Sequence, residues 1–147
     1  MLNKLYQETI VKQSLNTKYL TAPTNITHSA SGYNQLCGDS IKIDLNIQDN
    51  TISNIGLHLE SCAICKASAN LMADAVKNKD PQDVITLILD IESLCQNKPG
   101  LISCEIQESI SILKELHKSP SRIKCATLPW QTLKSAIEKQ QRTTSTE

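Results

Sequence analysis

The sequence predicts an α+β fold in which a small antiparallel sheet packs against several helices. Three observations carry this. Two runs of apolar–polar alternation, at about 40–47 and 52–60, flank a polar turn and read as a hairpin. Helical spacing of apolar residues begins directly after them. Asp80-Pro81 and Ser119-Pro120 each place a capping side chain before a proline, the usual opening of a helix.

Taken in order, residues 3–14 set Leu5, Ile10 and Val11 among polar neighbours and read as a short amphipathic helix. Residues 16–35 show no clear period and read as a loop, with a short strand near Tyr33 as its one regular element. In the first hairpin strand Ile41, Ile43, Leu45 and Ile47 alternate with Ser40, Lys42, Asp44 and Asn46. Gln48-Asp49-Asn50-Thr51 has turn chemistry, and Ile55, Leu57 and Leu59 then alternate with Gly56, His58 and Glu60. A turn centred near Asp49–Asn50 pairs residues whose numbers sum to about 99, which sets Cys37 across from Cys62 and Asp39 across from Glu60.

After Cys62 the stripe Ala63, Ile64, Ala67, Leu71 and Ala75 is helical, so Cys62 opens a helix whose dipole favours its thiolate. The small residues Ala63, Ala67, Ser68 and Ala69 suit close packing of this helix on the sheet. Pro81–Gln96 forms the next helix, with Cys95 on its apolar stripe, and Pro99-Gly100 ends it. Glu105–Lys118 forms another, with Ile106, Ile110, Leu113 and Leu116 inward. The last carries Cys125, and Pro129 four residues later predicts a kink or bulge there. One domain, residues 1–139, followed by a disordered polar tail from 140 to 147, is the expected organisation.

The bulk numbers narrow the function. A chain of 147 residues buries about 70% of its unfolded surface and folds without disulfides. Lys+Arg and Asp+Glu number 15 each, which argues against a nucleic-acid binder driven by phosphate contacts. No apolar run reaches a membrane span, and Met1–Leu20 lacks the apolar core of a secretory signal, so a cytoplasmic location is expected. In that compartment six cysteines point to metal, catalysis or burial before disulfides.

Three segments carry the chemistry: Cys37-Gly38-Asp39, Ser61-Cys62-Ala63-Ile64 and Arg122-Ile123-Lys124-Cys125. Together they supply three thiols and one carboxylate, a ligand set for zinc or for an iron–sulfur cluster. Taken alone, Cys37-Gly38-Asp39 also reads as a buried cysteine beside a turn aspartate. Cys65 reads as a packing residue one turn along the helix, Cys95 as core, and Cys104 as uninformative. His28, His58 and His117 fall at loop, polar-face and helix-end positions and read as surface residues.

These motifs, with Arg122-Ile123-Lys124-Cys125-Ala126-Thr127-Leu128-Pro129-Trp130 at the last, resemble the SufU branch of the IscU/NifU-N-like family of iron–sulfur cluster assembly proteins. The resemblance runs from about Leu5 to Ile137, and Leu5-Tyr6 resembles the family's first helix. Two features place it nearer SufU than IscU. Lys124 stands where IscU-type scaffolds have histidine, and two helices are inserted between Cys62 and Cys125. Asn34-Gln35-Leu36 in place of an Asn-Pro-like approach, and Ser61 in place of glycine, depart from the family pattern.

The resemblance implies an IscU-like fold with a helical insertion and a zinc ion on Cys37, Asp39, Cys62 and Cys125. It implies a sulfurtransferase in which Cys37 accepts persulfide sulfur from a SufS-type cysteine desulfurase and passes it to downstream Suf-type assembly proteins. In that picture a histidine of the desulfurase replaces Cys37 on the zinc, and Arg122 contributes to engaging the partner. The hard carboxylate of Asp39 among softer thiolates is a candidate labile ligand. The alternative is a scaffold that assembles a transient [2Fe–2S] cluster on the same four residues. A structural zinc protein is a third reading.

Overall fold

The computed structural model describes residues 4–98, 108–138 and 143–145. The sheet has four strands in the order β3-β2-β1-β4, with β1 at His28–Asn34, β2 at Asp39–Gln48, β3 at Thr51–Glu60 and β4 at Thr143–Ser145. The helices are α1 (Lys4–Ser14), α2 (Ala63–Val76), α3 (Pro81–Cys95), α4 (Glu108–Ser111) and α5 (Pro120–Ile137). This is the α+β arrangement expected, with β2 longer by two residues and β3 by one than the alternation suggests.

The hairpin register carries a correction. Ile47 pairs with Ile52, summing to 99, but Asn46 pairs with Asn54 and every pair beyond it sums to 100. The extra residue is Ser53, whose hydroxyl turns back to bond the Asn46 carbonyl and side chain at 3.1 and 2.7 Å. The reason is side-chain matching. A sum of 100 sets Ile41 against Leu59, Ile43 against Leu57 and Leu45 against Ile55, all apolar. A sum of 99 would set Leu45 against Asn54. The bulge lets apolar pairs form on both sides of it. Ser40, not Asp39, therefore faces Glu60.

Residues 16–35 hold more order than a loop. β1 pairs with β2 along seven residues, from His28 opposite Leu45 to Asn34 opposite Asp39. It contains the short strand expected near Tyr33, and its composition hides the rest, because Ala30, Gly32 and Asn34 rather than large apolar residues form its buried side. Gly32 is required: a Cβ there would run into Thr132 and Leu128 of α5. The helix that lies on the sheet is thus α5, whereas α2 packs mainly against α1 and α5. The small residues of α2 serve helix–helix contact: Ser68 Oγ donates to the Ala126 carbonyl at 2.6 Å and accepts from Trp130 Nε1 at 2.9 Å.

Other elements differ in detail. In α1 the buried residues are Tyr6 and Ile10, while Leu5 and Val11 face outward. Asp80 caps α3 by accepting from the Gln82 N–H at 2.8 Å, as its sequence implies, and Cys95 is buried at its end. The helix expected at Glu105–Lys118 is α4 followed by a 3-10 turn, Ile112–Lys118, with residues 99–107, and so Cys104 and Ile106, outside the described residues. Ile110, Leu113 and Leu116 are spaced by three and all buried, a period that suits the 3-10 geometry. α5 runs unbroken through Pro129, although that residue has no N–H for the Cys125 carbonyl. In the polar tail, Thr143–Ser145 pair in parallel with Ser31–Tyr33, because the edge of β1 offers its backbone groups. Residues 139–142, 146 and 147 lie outside the described ones. No helix among the described residues is long and apolar enough to cross a membrane.

Candidate metal centre

Three elements end at one place. The β1–β2 turn carries Cys37, β2 opens with Asp39, and α5 brings Cys125 about two turns from its start. Asp39 shares the buried side of β2 with Ile41 and Ile43 and is 0% exposed, and Cys125 is 2% exposed. Gly38 takes φ +70°, a left-handed conformation that costs glycine little, and Cys37 beside it is exposed. The ligand atoms of Cys37, Asp39 and Cys125 lie within 4.8 Å of one another, with the two sulfurs 3.0 Å apart.

Cys62 borders this group, although its sulfur is not one of the ligand atoms that lie within 4.8 Å of one another. Its backbone N–H donates to Asp39 Oδ1 at 2.8 Å, and its Sγ caps α2 by accepting from the Cys65 N–H at 3.4 Å. Its thiol also interacts with the Cys125 thiol, which draws Cys62 down to about 7, opposed by burial and helped by the Cys65 N–H. The same interaction, then burial, then Cys37 push the Cys125 thiol up. Neighbouring thiols cannot all ionise side by side.

The donor set fits a divalent ion. Two thiolates on one tetrahedral zinc stand about 3.8 Å apart, given zinc–sulfur bonds of about 2.3 Å, so the observed sulfurs need to part by less than 1 Å. A cation would also relieve the competition for charge just described. Three soft thiols and one carboxylate suit zinc or iron better than calcium or magnesium.

The other sequence candidates fall elsewhere. Cys65 is fully buried in α2, and burial pushes its thiol up to about 12. Cys95 behaves alike in α3. The exposed His58 and His117 stand outside the cluster, with His58 near Glu60 and His117 on the Lys114 carbonyl. His28 bonds Thr27. Arg122 is exposed at the start of α5, where its charge opposes the burial that raises the Tyr6 hydroxyl of α1. One residue escaped the motif reading. Asn34 is fully buried, and its Nδ2 lies 3.3 Å from Asp39 Oδ2 and 3.7 Å from Cys125 Sγ. The available signal was position: Asn34 continues the buried alternation of Ala30 and Gly32, where a polar residue needs a partner.

Residues 5–107 match the NifU-like N-terminal domain. The chain belongs to that family. It is 31% identical over 108 residues to the zinc-dependent sulfurtransferase SufU of Bacillus subtilis, covering 74% of this chain and 73% of that one. It is 26% identical over 138 residues to the iron–sulfur cluster assembly scaffold protein IscU of Thermotoga maritima, covering 92% and 94%. Among solved structures, one assigned as an iron–sulfur cluster assembly scaffold for the SUF system of Fervidobacterium islandicum aligns with a TM-score of 0.79 at 26% identity, over 90% of this chain and 96% of that one. A NifU-like N-terminal protein of Brucella abortus shares the fold at a TM-score of 0.77 and 14% identity, over 92% and 93%. The family match ends before α5, so the Cys125 segment rests on these longer alignments and on the geometry above.

Proposed function

We propose that this member of the family is a zinc-dependent sulfurtransferase of iron–sulfur cluster assembly, working in the cytoplasm with a SufS-type cysteine desulfurase. Cys37, Asp39, Cys62 and Cys125 would hold the zinc, and Cys37 would accept the sulfur. The observation that supports this most is the contrast inside the cluster: Cys37 is exposed while Asp39 and Cys125 are buried beside it. A ligand that must leave and return belongs on the surface. That makes Cys37, rather than Asp39, the exchangeable position, since both Asp39 oxygens already accept bonds from the chain.

Bound zinc would keep the thiols deprotonated near neutral pH and tolerate ligand exchange without redox change. The chain does the remainder. The turn at Gly38 presents Cys37, whose thiolate attacks the outer sulfur of the desulfurase persulfide. The persulfide S–S bond breaks, a new one forms to Cys37, and the desulfurase thiolate leaves with the electron pair. Meanwhile α5, the Cys62 N–H and Asn34 hold the other three groups in place. Arg122, on the exposed start of α5, is proposed to engage the partner.

Zinc, iron and acid-labile sulfide per chain, measured on protein purified without air, test this together with stimulation of a SufS-type desulfurase. About one zinc without iron, and stimulation, are expected. Iron with matching sulfide, and cluster transfer to an acceptor, would favour a [2Fe–2S] scaffold on the same residues. The Thermotoga relative's name and coverage speak for that second reading. Lys124, in place of the scaffold histidine, speaks against it.

A further inference from the structure

Asn34 closes β1 and pairs across the ladder with Asp39. Its side chain is fully buried on the side of β1 turned to α5. The amide NH2 has two hydrogens to give, and its nitrogen has two acceptors in reach: Asp39 Oδ2 at 3.3 Å and Cys125 Sγ at 3.7 Å. Its Oδ1 finds no hydrogen-bond partner among the described residues. A buried, unmet acceptor costs stability that an apolar side chain of the same size would not. Packing of the sheet therefore does not account for an asparagine here. The two donated bonds do.

We propose that Asn34 is a positioning residue of the metal centre, its amide aiming the Asp39 carboxylate and the Cys125 sulfur at one shared ion. The inference rests on the metal-centre reading of the proposed function. Both acceptors are anionic when they hold a cation, so both bonds become charge-assisted in the loaded state. Asp39 Oδ1 is fixed by a backbone N–H that any residue but proline at position 62 would supply. Asn34 reaches two of the four proposed ligands at once through one side chain. Partners that orient ligands in this way typically control metal affinity by about 10–100-fold.

The test uses the full chain and two variants. Asn34→Asp keeps the shape but turns an acceptor toward both ligands. Asn34→Ser keeps one short donor. Zinc affinity is read by competition with a chromophoric chelator, and ligand geometry from the absorption of the cobalt(II)-loaded protein. Wild type should show thiolate-to-cobalt charge-transfer bands and the strong ligand-field bands of a tetrahedral site. Asn34→Asp should lose about 10–100-fold or more in zinc affinity and alter the cobalt spectrum, with a smaller loss in Asn34→Ser. Thermal unfolding of the metal-free chains separates a structural role, which would lower the midpoint and leave the cobalt spectrum of the folded protein as it was. Asn34→Asp with unchanged affinity and spectrum overturns the proposal. If that variant does not fold, the same result in Asn34→Ser overturns it. Wild type without thiolate–cobalt bands would overturn the metal-centre reading and this inference with it, whereas wild-type binding that neither variant disturbs overturns the inference alone.

Discussion

The two halves of the candidate centre are built on opposite principles. Its floor, Asp39 and Cys125, is sealed between β2 and α5 and held by Asn34 and the Cys62 N–H. Its lip, Leu36-Cys37-Gly38, is exposed throughout and hangs on a glycine turn. Floor and lip meet at 3.0 Å, between Cys125 and Cys37. Burial fixes groups by removing every competing partner, and exposure leaves a group accessible to another molecule. A site that must keep an ion while handing one ligand to a partner needs both. The contrast argues for exchange chemistry over a closed structural zinc site, whose ligands have no reason to differ.

The sharpest way to break the comparison is at the lip. Cys37→Ala should abolish stimulation of the desulfurase while changing stability by no more than about 0.5 kcal/mol, as expected for an exposed position. Denaturant unfolding alongside the desulfurase assay checks both, and full stimulation by the variant would remove Cys37 from the acceptor role. At the floor the pattern should invert. Asp39→Ala leaves the Asn34 amide and the Cys62 N–H without their acceptor. It should cost about 1–3 kcal/mol and weaken zinc binding. An unchanged zinc affinity would mean that another group, such as Cys65, completes the set.

How much of this was legible follows the same division. The strands β2 and β3 and the meeting of Cys37, Asp39 and Cys125 could be read from alternation and motif alone. The bulge could not be read from turn position, because turn chemistry alone places the pairs at a sum of 99. It was latent in the apolar matching of Ile43 with Leu57 and Leu45 with Ile55, which only a sum of 100 satisfies. β1 beyond the short strand near Tyr33 stayed hidden because its buried side is Ala30, Gly32 and Asn34, small or polar residues whose meaning depends on α5 lying against them. α5 in turn was not assignable to the sheet, since both it and α2 carry small residues and only the tertiary arrangement decides which of them Gly32 admits. Asn34 was missed for the same reason. Its partners are five and 91 residues away, and no local pattern joins them.

A milder perturbation of the lip is Gly38→Ala. Nothing lies within 4 Å of the added Cβ, so the effect is conformational alone. Holding alanine at φ +70° should cost about 1 kcal/mol. If presentation of Cys37 depends on this turn, stimulation of the desulfurase should fall several-fold with zinc content unchanged. Loss of zinc instead would show that the turn also holds the floor together. Cys65→Ser should then retain activity, because Cys65 is a buried residue of α2. An inactive, folded variant would give that thiol a role in the centre.

The smallest effect concerns a thiol remote from the cluster, and it separates burial from metal chemistry. Burial, with Glu92 nearby, pushes Cys95 up to about 12 from an ordinary 9.0. Below pH 9 the thiol is protonated in both the folded and the unfolded chain and contributes nothing. Between pH 9 and 12 the unfolded chain gives up this proton and the folded chain keeps it, so stability falls as pH rises. The slope from one such thiol is at most about 1.4 kcal/mol per pH unit. Cys95→Ala should lower stability by a constant amount below pH 9 through lost packing, then show a shallower alkaline decline than wild type. Urea unfolding at pH 7 to 10.5 reads this directly. Parallel declines in the two proteins would mean that Cys95 ionises in the folded state as readily as in the unfolded one, and that burial alone does not set the behaviour of this chain's thiols.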